Sequence, residues 1–409
     1  MARFSRALAL VLILIFFPWS PGFVLSGDDE DPRSEPRGEL LLPGQSQLLI
    51  ELRTGQVLYE VDPDLSIPPA SLAKIMALEI AFSQVEEGRL SLDDTVTIGI
   101  NAWTQNVGGS SMFLEPGETL NLDQLIRGVT VASGNDAAVA LAEHIAQTED
   151  SFVASMNKRA QQLGMEDTLF VSASGLPTDG DDGSTTARDM ARLAREYVLA
   201  FPEVLGEYHS QRILEWKEFR LRSYNGLLWE DRLPVNGLKT GFTSQAGYHI
   251  IATAEEGDML LAAVVLGAGS ESQREGTAAR LLEYGFSEFQ LARENWTRRV
   301  PDQVRVWQGR EDQVDLQLRE RDQQKPLVIP RGATVESRVE LRGPVRAPVG
   351  DSETLGELIL EVIAGPGEDD LEEIARLDIV AGGHVARGNL FRVFVDAVRL
   401  FFAERFGRI

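Results

Sequence analysis

The sequence contains no cysteine and uses lysine very sparingly. The absence of cysteine excludes disulfide bonds, thiolate zinc sites and a cysteine nucleophile. Lysine occurs five times among 409 residues, whereas arginine occurs 34 times. Arginine keeps its proton in proteins, but a buried lysine can lose its proton and act as a base. The few lysines are therefore the positions at which to look for acid–base chemistry.

Histidine and positive charge are scarce as well. The four histidines are scattered, without the H-E-x-x-H pattern of a zinc protease. Neither a G-x-S-x-G turn nor a Gly-rich phosphate loop occurs, which disfavours an α/β-hydrolase and a nucleotide site. The net charge of −24 argues against nucleic acid as a partner, because phosphate contacts need a basic surface. We predict no metal site and no cofactor.

The N-terminus is typical of an export signal. A short basic head precedes an apolar run over residues 7–17, which is too short to span a bilayer comfortably. Two prolines follow, and cleavage is predicted after residue 26, with an uncleaved anchor as the alternative. Residues 27–38 are acidic and contain two prolines, which predicts a flexible leader.

Three short motifs contain two of the five lysines: Ser71-Leu72-Ala73-Lys74, Ser133-Gly134-Asn135 and Lys239-Thr240-Gly241. Ser71 and Lys74 are three positions apart, which places both side chains on one face of a helix. We predict that Ser71 opens this helix, where free backbone N–H groups can help hold an oxyanion. A neutral Lys74, desolvated and near another cation, could take the Ser71 hydroxyl proton.

The other two motifs are expected in loops. Ser133 and Asn135 fall in a turn-forming run before the next predicted helix, where they could relay a proton and bind a substrate carbonyl. The third motif is predicted to lie between a turn and the following strand. There Lys239 supplies positive potential, Thr240 supplies a donor, and Gly241 lets a substrate backbone approach the strand edge.

Each motif is weak by itself because similar patterns occur elsewhere in the chain. They are Ser155-Met156-Asn157-Lys158, Ser223-Tyr224-Asn225 and the Arg-containing Arg53-Thr54-Gly55. Ser155 falls in the middle of a predicted helix, away from free N–H groups, so Ser71 is the preferred nucleophile. An N-capping serine followed by an exposed lysine is the structural alternative for an isolated match.

Hydrophobic periodicity predicts a mixed region of strands and helices followed by a small all-β region. Strands are expected over residues 48–63 (a hairpin), 211–224 and 246–268. Helices are expected over residues 70–88, 137–145, 152–163, 187–197 and 278–284. Residues 300–385 show short alternating runs separated by turn signals, which is typical of a small β-domain.

Residues 387–409 form a basic amphipathic segment within an acidic chain. Arg392, Asp396 and Arg399 share one face of the predicted helix. The opposite face is apolar and consists of Leu390, Phe391, Phe394, Val395, Val398, Phe401 and Phe402. A basic, Phe-rich terminal helix favours an anchor on a membrane surface, and a core helix packed on its own domain is the alternative.

The three motifs in this order resemble those of low-molecular-mass penicillin-binding proteins of the serine-type D-alanyl-D-alanine carboxypeptidase family. Further similar segments are 68–72, 109–113, 132–137, 174–176, 187–190 and 246–248. The resemblance implies an α+β fold with a β-lactamase/transpeptidase-like domain, in which a mixed antiparallel sheet is flanked by helices and carries a helical insert. A small all-β domain and a C-terminal amphipathic helix follow it.

The domain order expected from these observations has five parts. It runs as a signal peptide (1–26), an acidic leader (27–38), a serine D,D-peptidase domain (39–292), a β-rich domain (293–386) and an amphipathic membrane-anchor helix (387–409). The resemblance also implies an exported protein, held peripherally at the periplasmic face of the inner membrane by residues 387–409.

The resemblance further implies catalytic roles. Ser71 would form an acyl-enzyme with the penultimate D-Ala of a peptidoglycan stem peptide ending in D-Ala-D-Ala, with Lys74 as the general base. Ser133, together with Lys239, would pass a proton to the leaving D-Ala. The N–H groups of Ser71 and Phe242 would form the oxyanion hole. β-Lactam antibiotics are the other ligands that the resemblance implies.

Substrate binding is implied at seven positions: Asn135, Lys239, Thr240, Gly241, Phe242, Thr243 and Arg274. Asn135 would hold an amide carbonyl of the peptide, while Thr240, Thr243 and Arg274 would bind its terminal carboxylate. An arginine suits this role because its planar guanidinium matches a carboxylate.

Two alternative functions use the same fold. A β-lactamase would need a deacylating carboxylate, and Glu166 lies in a run that loosely matches the required E-x-x-L-N, with Phe170 where asparagine belongs. A non-catalytic cell-wall binding protein is the second alternative. A D,D-endopeptidase acting on cross-links is a variant of the carboxypeptidase reading.

Overall fold

The computed structural model describes residues 42–106, 109–363 and 371–406. The predicted signal peptide and acidic leader lie outside these residues, as do the last three residues of the predicted anchor.

The strands are β1 (Ser46–Glu51), β2 (Val57–Val61), β3 (Thr95–Thr97), β4 (Thr119–Asn121), β5 (Ile213–Trp216), β6 (Phe219–Arg222), β7 (Val235–Thr243), β8 (Gly247–Glu256), β9 (Met259–Ala268), β10 (Phe289–Ala292), β11 (Gln303–Arg305), β12 (Gln313–Leu318), β13 (Leu327–Pro330), β14 (Thr334–Leu341), β15 (Thr354–Ile363) and β16 (Leu371–Ala381). The helices are α1 (Ala73–Glu86), α2 (Ile100–Thr104), α3 (Leu122–Thr130), α4 (Asn135–Ala146), α5 (Glu149–Gln162), α6 (Ala187–Ala200), α7 (Glu271–Glu288) and α8 (Leu390–Phe406).

An antiparallel sheet with the order β2-β1-β9-β8-β7 forms the centre of the first part of the chain. Strand β9 reads MLLAAVVLGA and is buried along nearly its whole length, since helices cover both sides of it. Helix α7 contacts β8 and β9, while α6 contacts β1 and β9. Such coverage explains why β9 is a continuous apolar run rather than an alternating one. Strand β7 is left at the edge of the sheet.

Helix α1 is the centre of the helical layer. Its first ten residues are all buried, and it contacts α4, α5 and α6. One of these residues, Glu79, is charged and accepts hydrogen bonds from the Arg159 guanidinium of α5 at 2.6 and 2.9 Å. Arg159 also pairs with Glu196 of α6 at 2.9 Å. A buried carboxylate needs such a partner, and this one ties three helices together.

The C-terminal part has a separate hydrophobic core. A sheet with the order β11-β12-β16-β15-β14 and the pair β10-β13 surround Trp296, Leu358 and Leu377, all fully buried. Strand β12 alternates exposed and buried residues, as expected of a sheet with one face in water. The predicted architecture, a mixed α+β region followed by a small β-rich region and a terminal helix, is confirmed.

Helix α8 turns most of its large apolar residues outward, although Leu400 is buried. Leu390, Phe391 and Phe394 are 89%, 77% and 67% exposed. Asp396 is buried instead and accepts a hydrogen bond from the Gln308 backbone N–H at 2.9 Å. Arg392 pairs with Asp312 of the β-domain, so the polar face makes the contact with the rest of the chain. Among the described helices, none is both long and apolar enough to cross a membrane.

Most predicted elements are found with shifted ends. Helix α7 begins at Glu271, seven residues earlier than the predicted 278. Its first turns are polar, so apolar periodicity gave no sign of them, but Ser270 caps the helix by accepting from the Gln273 N–H at 3.2 Å.

Candidate active site

Ser71 lies in a single 3-10 turn, Ala70–Leu72, immediately before α1. The prediction that it opens the α-helix itself was wrong by one turn. Ala70 and Leu72 are buried and fix the turn from below, while Ser71 stays partly exposed. Ala70 has a φ of +48°, a strained value for a residue with a Cβ atom. A Cβ at Gly175 would collide with the Ala70 carbonyl, so glycine is needed for this close approach.

The Lys74 amine has three oxygen neighbours. Its Nζ lies 2.9 Å from Ser71 Oγ, 2.7 Å from Asn135 Oδ1 and 2.9 Å from the Ser174 carbonyl. The Asn135 amide oxygen and the Ser174 carbonyl oxygen can only accept, so a neutral amine spends both of its N–H groups on them. In that neutral form the lone pair of Nζ is left for the Ser71 hydroxyl, which can then donate its proton to Nζ.

The surroundings of Lys74 favour this neutral form. Burial, and secondarily the nearby positive charge of Lys239, holds the pKa of Lys74 well below its usual value. The negative charge of Asp136 acts in the opposite direction but is the smallest of the three effects. Asp136 is itself fully buried and accepts from the Ser111 hydroxyl at 2.8 Å and the Met112 N–H at 2.9 Å. These hydrogen bonds join the loop between α2 and β4 to the start of α4.

Ser133 and Lys239 form a second pair. The Lys239 ammonium donates to Ser133 Oγ at 2.7 Å and to the Thr240 carbonyl at 2.9 Å. Ser133 adopts a left-handed φ of +53°, which turns its hydroxyl toward Lys239. Burial, and secondarily the positive charge of Arg274, lowers the pKa of Lys239 to about 7.

The third motif lies inside a strand, which corrects the sequence prediction. Lys239, Thr240 and Gly241 fall in the middle of β7, not between a turn and the next strand. The apparent turn signal at Asn236-Gly237 is a bulge, where the register with β8 shifts between Val235 and Gly237. Because β7 is the edge strand of the sheet, the motif lies on that edge. It is also close to the nucleophile candidate, since a Cβ at Gly241 would come within 3.3 Å of the Ser71 nitrogen.

The motifs meet in one cleft of about 540 Å³. Of the predicted site residues, it is lined by Ser71, Ser133, Asn135, Thr240, Gly241, Phe242, Thr243 and Arg274. Lys74 and Lys239 are buried beneath it. Lining residues without an assigned role at the sequence level are Gly109, Ser110, Leu176, Pro177, Tyr224, Ser244, Tyr248 and Glu271. Gly109, Ser110, Leu176 and Tyr248 fall in segments that resemble the family, but spacing and periodicity contain no signal for the others, because elements distant in sequence bring them there.

Arg274 reaches the cleft from α7 but is already partly engaged. One guanidinium nitrogen donates to the Tyr224 carbonyl at 3.0 Å and to Glu275 at 3.1 Å. Glu271 lies 3.6 Å from the same nitrogen. Within the described residues, the buried Nε–H of Arg274 has no hydrogen-bond partner.

The similar motifs elsewhere in the chain are not assembled in this way. Ser155 is exposed in the middle of α5, where its hydroxyl donates to the Ser151 carbonyl at 3.1 Å. Arg53-Thr54-Gly55 forms the turn between β1 and β2. Glu166 is exposed and is absent from the described residues that line the cleft. Tyr224 does line it, although its motif partner Ser223 does not.

Comparison with known proteins gives a consistent result. The family described as D-alanyl-D-alanine carboxypeptidase matches residues 35–270. The D-alanyl-D-alanine carboxypeptidase DacA of Escherichia coli K12 is 32% identical over 99% of this chain and 98% of its own length. Penicillin-binding protein 5 from Haemophilus influenzae is 31% identical, with a TM-score of 0.75 over 86% of this chain and 99% of that structure. Penicillin-binding protein D2 from Listeria monocytogenes, in its ampicillin-bound form, is 32% identical with a TM-score of 0.56, covering 61% of this chain and 100% of its own.

We expect acylation of Ser71 to depend on pH through both lysines. As pH falls through the depressed pKa of Lys74, the amine gains a proton and can no longer accept one from Ser71. As pH rises through about 7, Lys239 loses its positive charge, so the rate should fall on the alkaline side too. The measurement is the second-order rate constant for labelling by a fluorescent penicillin across the pH range.

Lys239→Arg keeps its charge at alkaline pH and should therefore remove the alkaline limb, at some cost in rate because the guanidinium is larger. Lys158→Arg, on the exposed side of α5, is the matched control and should leave the profile unchanged. An alkaline limb that persists in Lys239→Arg would contradict the assignment to Lys239.

Proposed function

Because this chain belongs to the D-alanyl-D-alanine carboxypeptidase family, we propose that it is a serine peptidase that releases the terminal D-Ala from peptidoglycan stem pentapeptides. One observation carries the assignment of the nucleophile. The Lys74 amine lies 2.9 Å from Ser71 Oγ, while its two other neighbours are obligate acceptors. A hydroxyl next to such a neutral amine is an activated nucleophile.

In the first step Lys74 takes the Ser71 proton, and Ser71 Oγ bonds to the carbonyl carbon of the penultimate D-Ala. The resulting oxyanion is held by the backbone N–H groups of Ser71 and Phe242. The C–N bond then breaks as Ser133, polarised by the Lys239 ammonium, gives its proton to the leaving D-Ala nitrogen and regains the proton that Lys74 took from Ser71, so that Lys74 is neutral again. Water hydrolyses the acyl-enzyme, with Lys74 as the base, and regenerates the Ser71 hydroxyl.

Substrate binding is supported by the free edge of β7. A peptide in an extended conformation can add to this edge as a further strand, with Asn135 on the opposite side of the cleft. Its terminal carboxylate would be bound by Thr240, Thr243 and the guanidinium of Arg274, which all line the cleft. A free carboxylate is what distinguishes the end of a peptide chain from its interior.

β-Lactams should acylate the same serine, in keeping with the ampicillin-bound relative. The β-lactamase alternative is less well supported, because Glu166, its candidate deacylating carboxylate, is exposed and not part of the described cleft lining. Glu271 does line the cleft, but it lies beside Arg274. The non-catalytic alternative gives no reason for the two buried lysines to contact the Ser71 and Ser133 hydroxyls.

For the domains and location, we propose the boundaries expected from the sequence, with export to the periplasmic face of the inner membrane. Helix α8 supports attachment of residues 387–409 to a membrane surface. Its exposed Phe391, Phe394 and Phe401 would enter the acyl chains, while Arg392 and Asp396 hold the helix to the β-domain. The β-domain would then separate the active site from the membrane.

Ser71→Ala should abolish release of D-Ala from a pentapeptide ending in D-Ala-D-Ala, by on the order of 10⁴-fold or more, because the acyl-enzyme cannot form. D-Ala release and labelling by a fluorescent penicillin are measured together. Ser155→Ala, from the similar motif in α5, should keep both activities. Undiminished release by Ser71→Ala would overturn the nucleophile, and rapid hydrolysis of the bound penicillin would favour a β-lactamase.

Arg274→Gln should lower kcat/KM for the pentapeptide by about 10- to 100-fold, since a charge-assisted hydrogen bond to the carboxylate is lost. The same peptide with a C-terminal amide should be hydrolysed equally well by both enzymes, which separates carboxylate binding from general damage. Arg280→Gln, exposed on the same helix, is the control. Equal losses on the acid and the amide would argue against the assigned role.

Changing both Phe391 and Phe394 to Ser should weaken binding of the purified protein to anionic phospholipid vesicles by on the order of 10-fold or more, because apolar surface no longer enters the bilayer. Co-sedimentation with vesicles measures the bound fraction. Ile100→Ser removes an apolar side chain that is also exposed, at 69%, and should have no effect. Wild-type binding by the double variant would exclude α8 as the anchor.

A further inference from the structure

Two of the four histidines are buried beside the catalytic segments, although neither lines the cleft. His249 of β8 is fully buried, and His209 is 4% exposed at the end of a short π-helix, Leu205–His209. The mechanism described above uses neither. Both imidazoles make two hydrogen bonds, and in each case the partners determine which nitrogen carries the proton.

His249 connects the sheet to the segment that precedes Ser71. Its Nδ1 lies 2.9 Å from the Gly267 nitrogen, and its Nε2 lies 2.9 Å from the Pro68 carbonyl oxygen. A backbone N–H can only donate, so Nδ1 is the acceptor and Nε2 must carry the hydrogen that Pro68 accepts. His249 is therefore held as the neutral Nε2–H tautomer.

A bulge makes this contact possible. The register between β8 and β9 shifts at His249, so that Tyr248 faces Ala268 and Ile250 faces Val265. Gly267 has a φ of +70° there, which turns its N–H onto the imidazole. The Pro68 carbonyl that His249 holds is followed by the strained Ala70 and then by Ser71. A backbone in such a conformation persists only when its surroundings hold it.

His209 makes the opposite arrangement beside the strand that carries Lys239. Its Nδ1 lies 2.8 Å from the Leu238 carbonyl oxygen, and its Nε2 lies 3.0 Å from the Tyr197 hydroxyl. Because a carbonyl can only accept, Nδ1 carries the hydrogen and Nε2 accepts from Tyr197. Leu238 immediately precedes Lys239 on the edge strand β7, so His209 satisfies a carbonyl at the position where the lysine must be aimed.

We propose that His249 and His209 are positioning residues, which in opposite neutral tautomers hold the Ser71 segment and the Lys239 strand in their catalytic arrangement. The proposal rests on the proposed peptidase function and adds two groups to it. Burial is the main cause that lowers the pKa of both imidazoles, and nearby cations add to it, namely Arg274 for His249 and Lys239 for His209. Both rings are consequently neutral at neutral pH.

Asparagine and glutamine variants test this because their amides reach different nitrogens. The amide of Gln reaches the Nε2 position of histidine, and the shorter amide of Asn reaches the Nδ1 position. His249→Gln can still donate to Pro68, whereas His249→Asn cannot. His209→Asn can still donate to Leu238, whereas His209→Gln cannot.

We expect a crossed pattern in the rate of acylation by a fluorescent penicillin and in kcat for D-Ala release. His249→Asn and His209→Gln should lose about 10-fold, the effect of one hydrogen bond, while His249→Gln and His209→Asn should stay within about twofold of the wild type. Exposed His384→Gln is the control. If the two histidines only fill space, the loss of activity should depend on side-chain size. The Asn and Gln variants would then rank in the same order at both positions. That result, or no loss in any variant, would overturn the proposal.

The tautomers of the two imidazoles can also be measured in the wild-type protein. This measurement tests the proposal even if a variant fails to fold. Imidazole ¹⁵N chemical shifts should report Nε2–H for His249 and Nδ1–H for His209. Any other assignment would overturn the proposal. If the wild type instead neither releases D-Ala nor binds penicillin, it is the proposed function that fails, while the tautomers can still be read.

Discussion

The site depends on one buried amine. Lys74 Nζ lies among the Ser71 hydroxyl, an amide oxygen from α4 and a carbonyl from the loop around residue 174. These three segments are far apart in sequence, and the amine is the atom that each of them contacts. A fully buried charge would be costly, so the same packing that joins the segments also lowers the pKa of the amine. The contacts that assemble the site are therefore also the ones that favour a neutral amine.

The backbone around this amine is held in unfavourable conformations. Ala70 and Ser133 both have positive φ values, and each belongs to a turn that presents a serine hydroxyl to the cleft. Such strain persists only where neighbouring contacts determine it. The contacts are present here: Gly175 against Ala70, the buried Asp136 beneath the Ser111 loop, and the two imidazoles against Pro68 and Leu238. Rigidity at the site thus comes from buried polar groups whose hydrogen bonds are satisfied.

The C-terminal part inverts the usual arrangement of an amphipathic helix. In α8 the polar Asp396 is buried against the β-domain, whereas Phe391 and Phe394 are exposed. An exposed apolar face of this kind is typical of helices that bind a membrane surface, and basic residues on such a helix favour anionic lipids. The β-domain has its own core around Trp296, so it can join this helix to the peptidase domain without sharing the packing of the latter.

The sequence by itself indicated the chemistry: the scarcity of lysine and the order of three motifs singled out the candidate reacting groups, and the family resemblance of these motifs predicted the fold class. The tertiary structure decided the geometry. It turned an apparent turn at Asn236-Gly237 into a bulge within an edge strand, added the Ser174 carbonyl as a partner of Lys74, and surrounded Arg274 with carboxylates. Local preferences specify turns and helices, but contacts between residues 100 positions apart, as between Lys74 and Ser174, exist only after the core has packed.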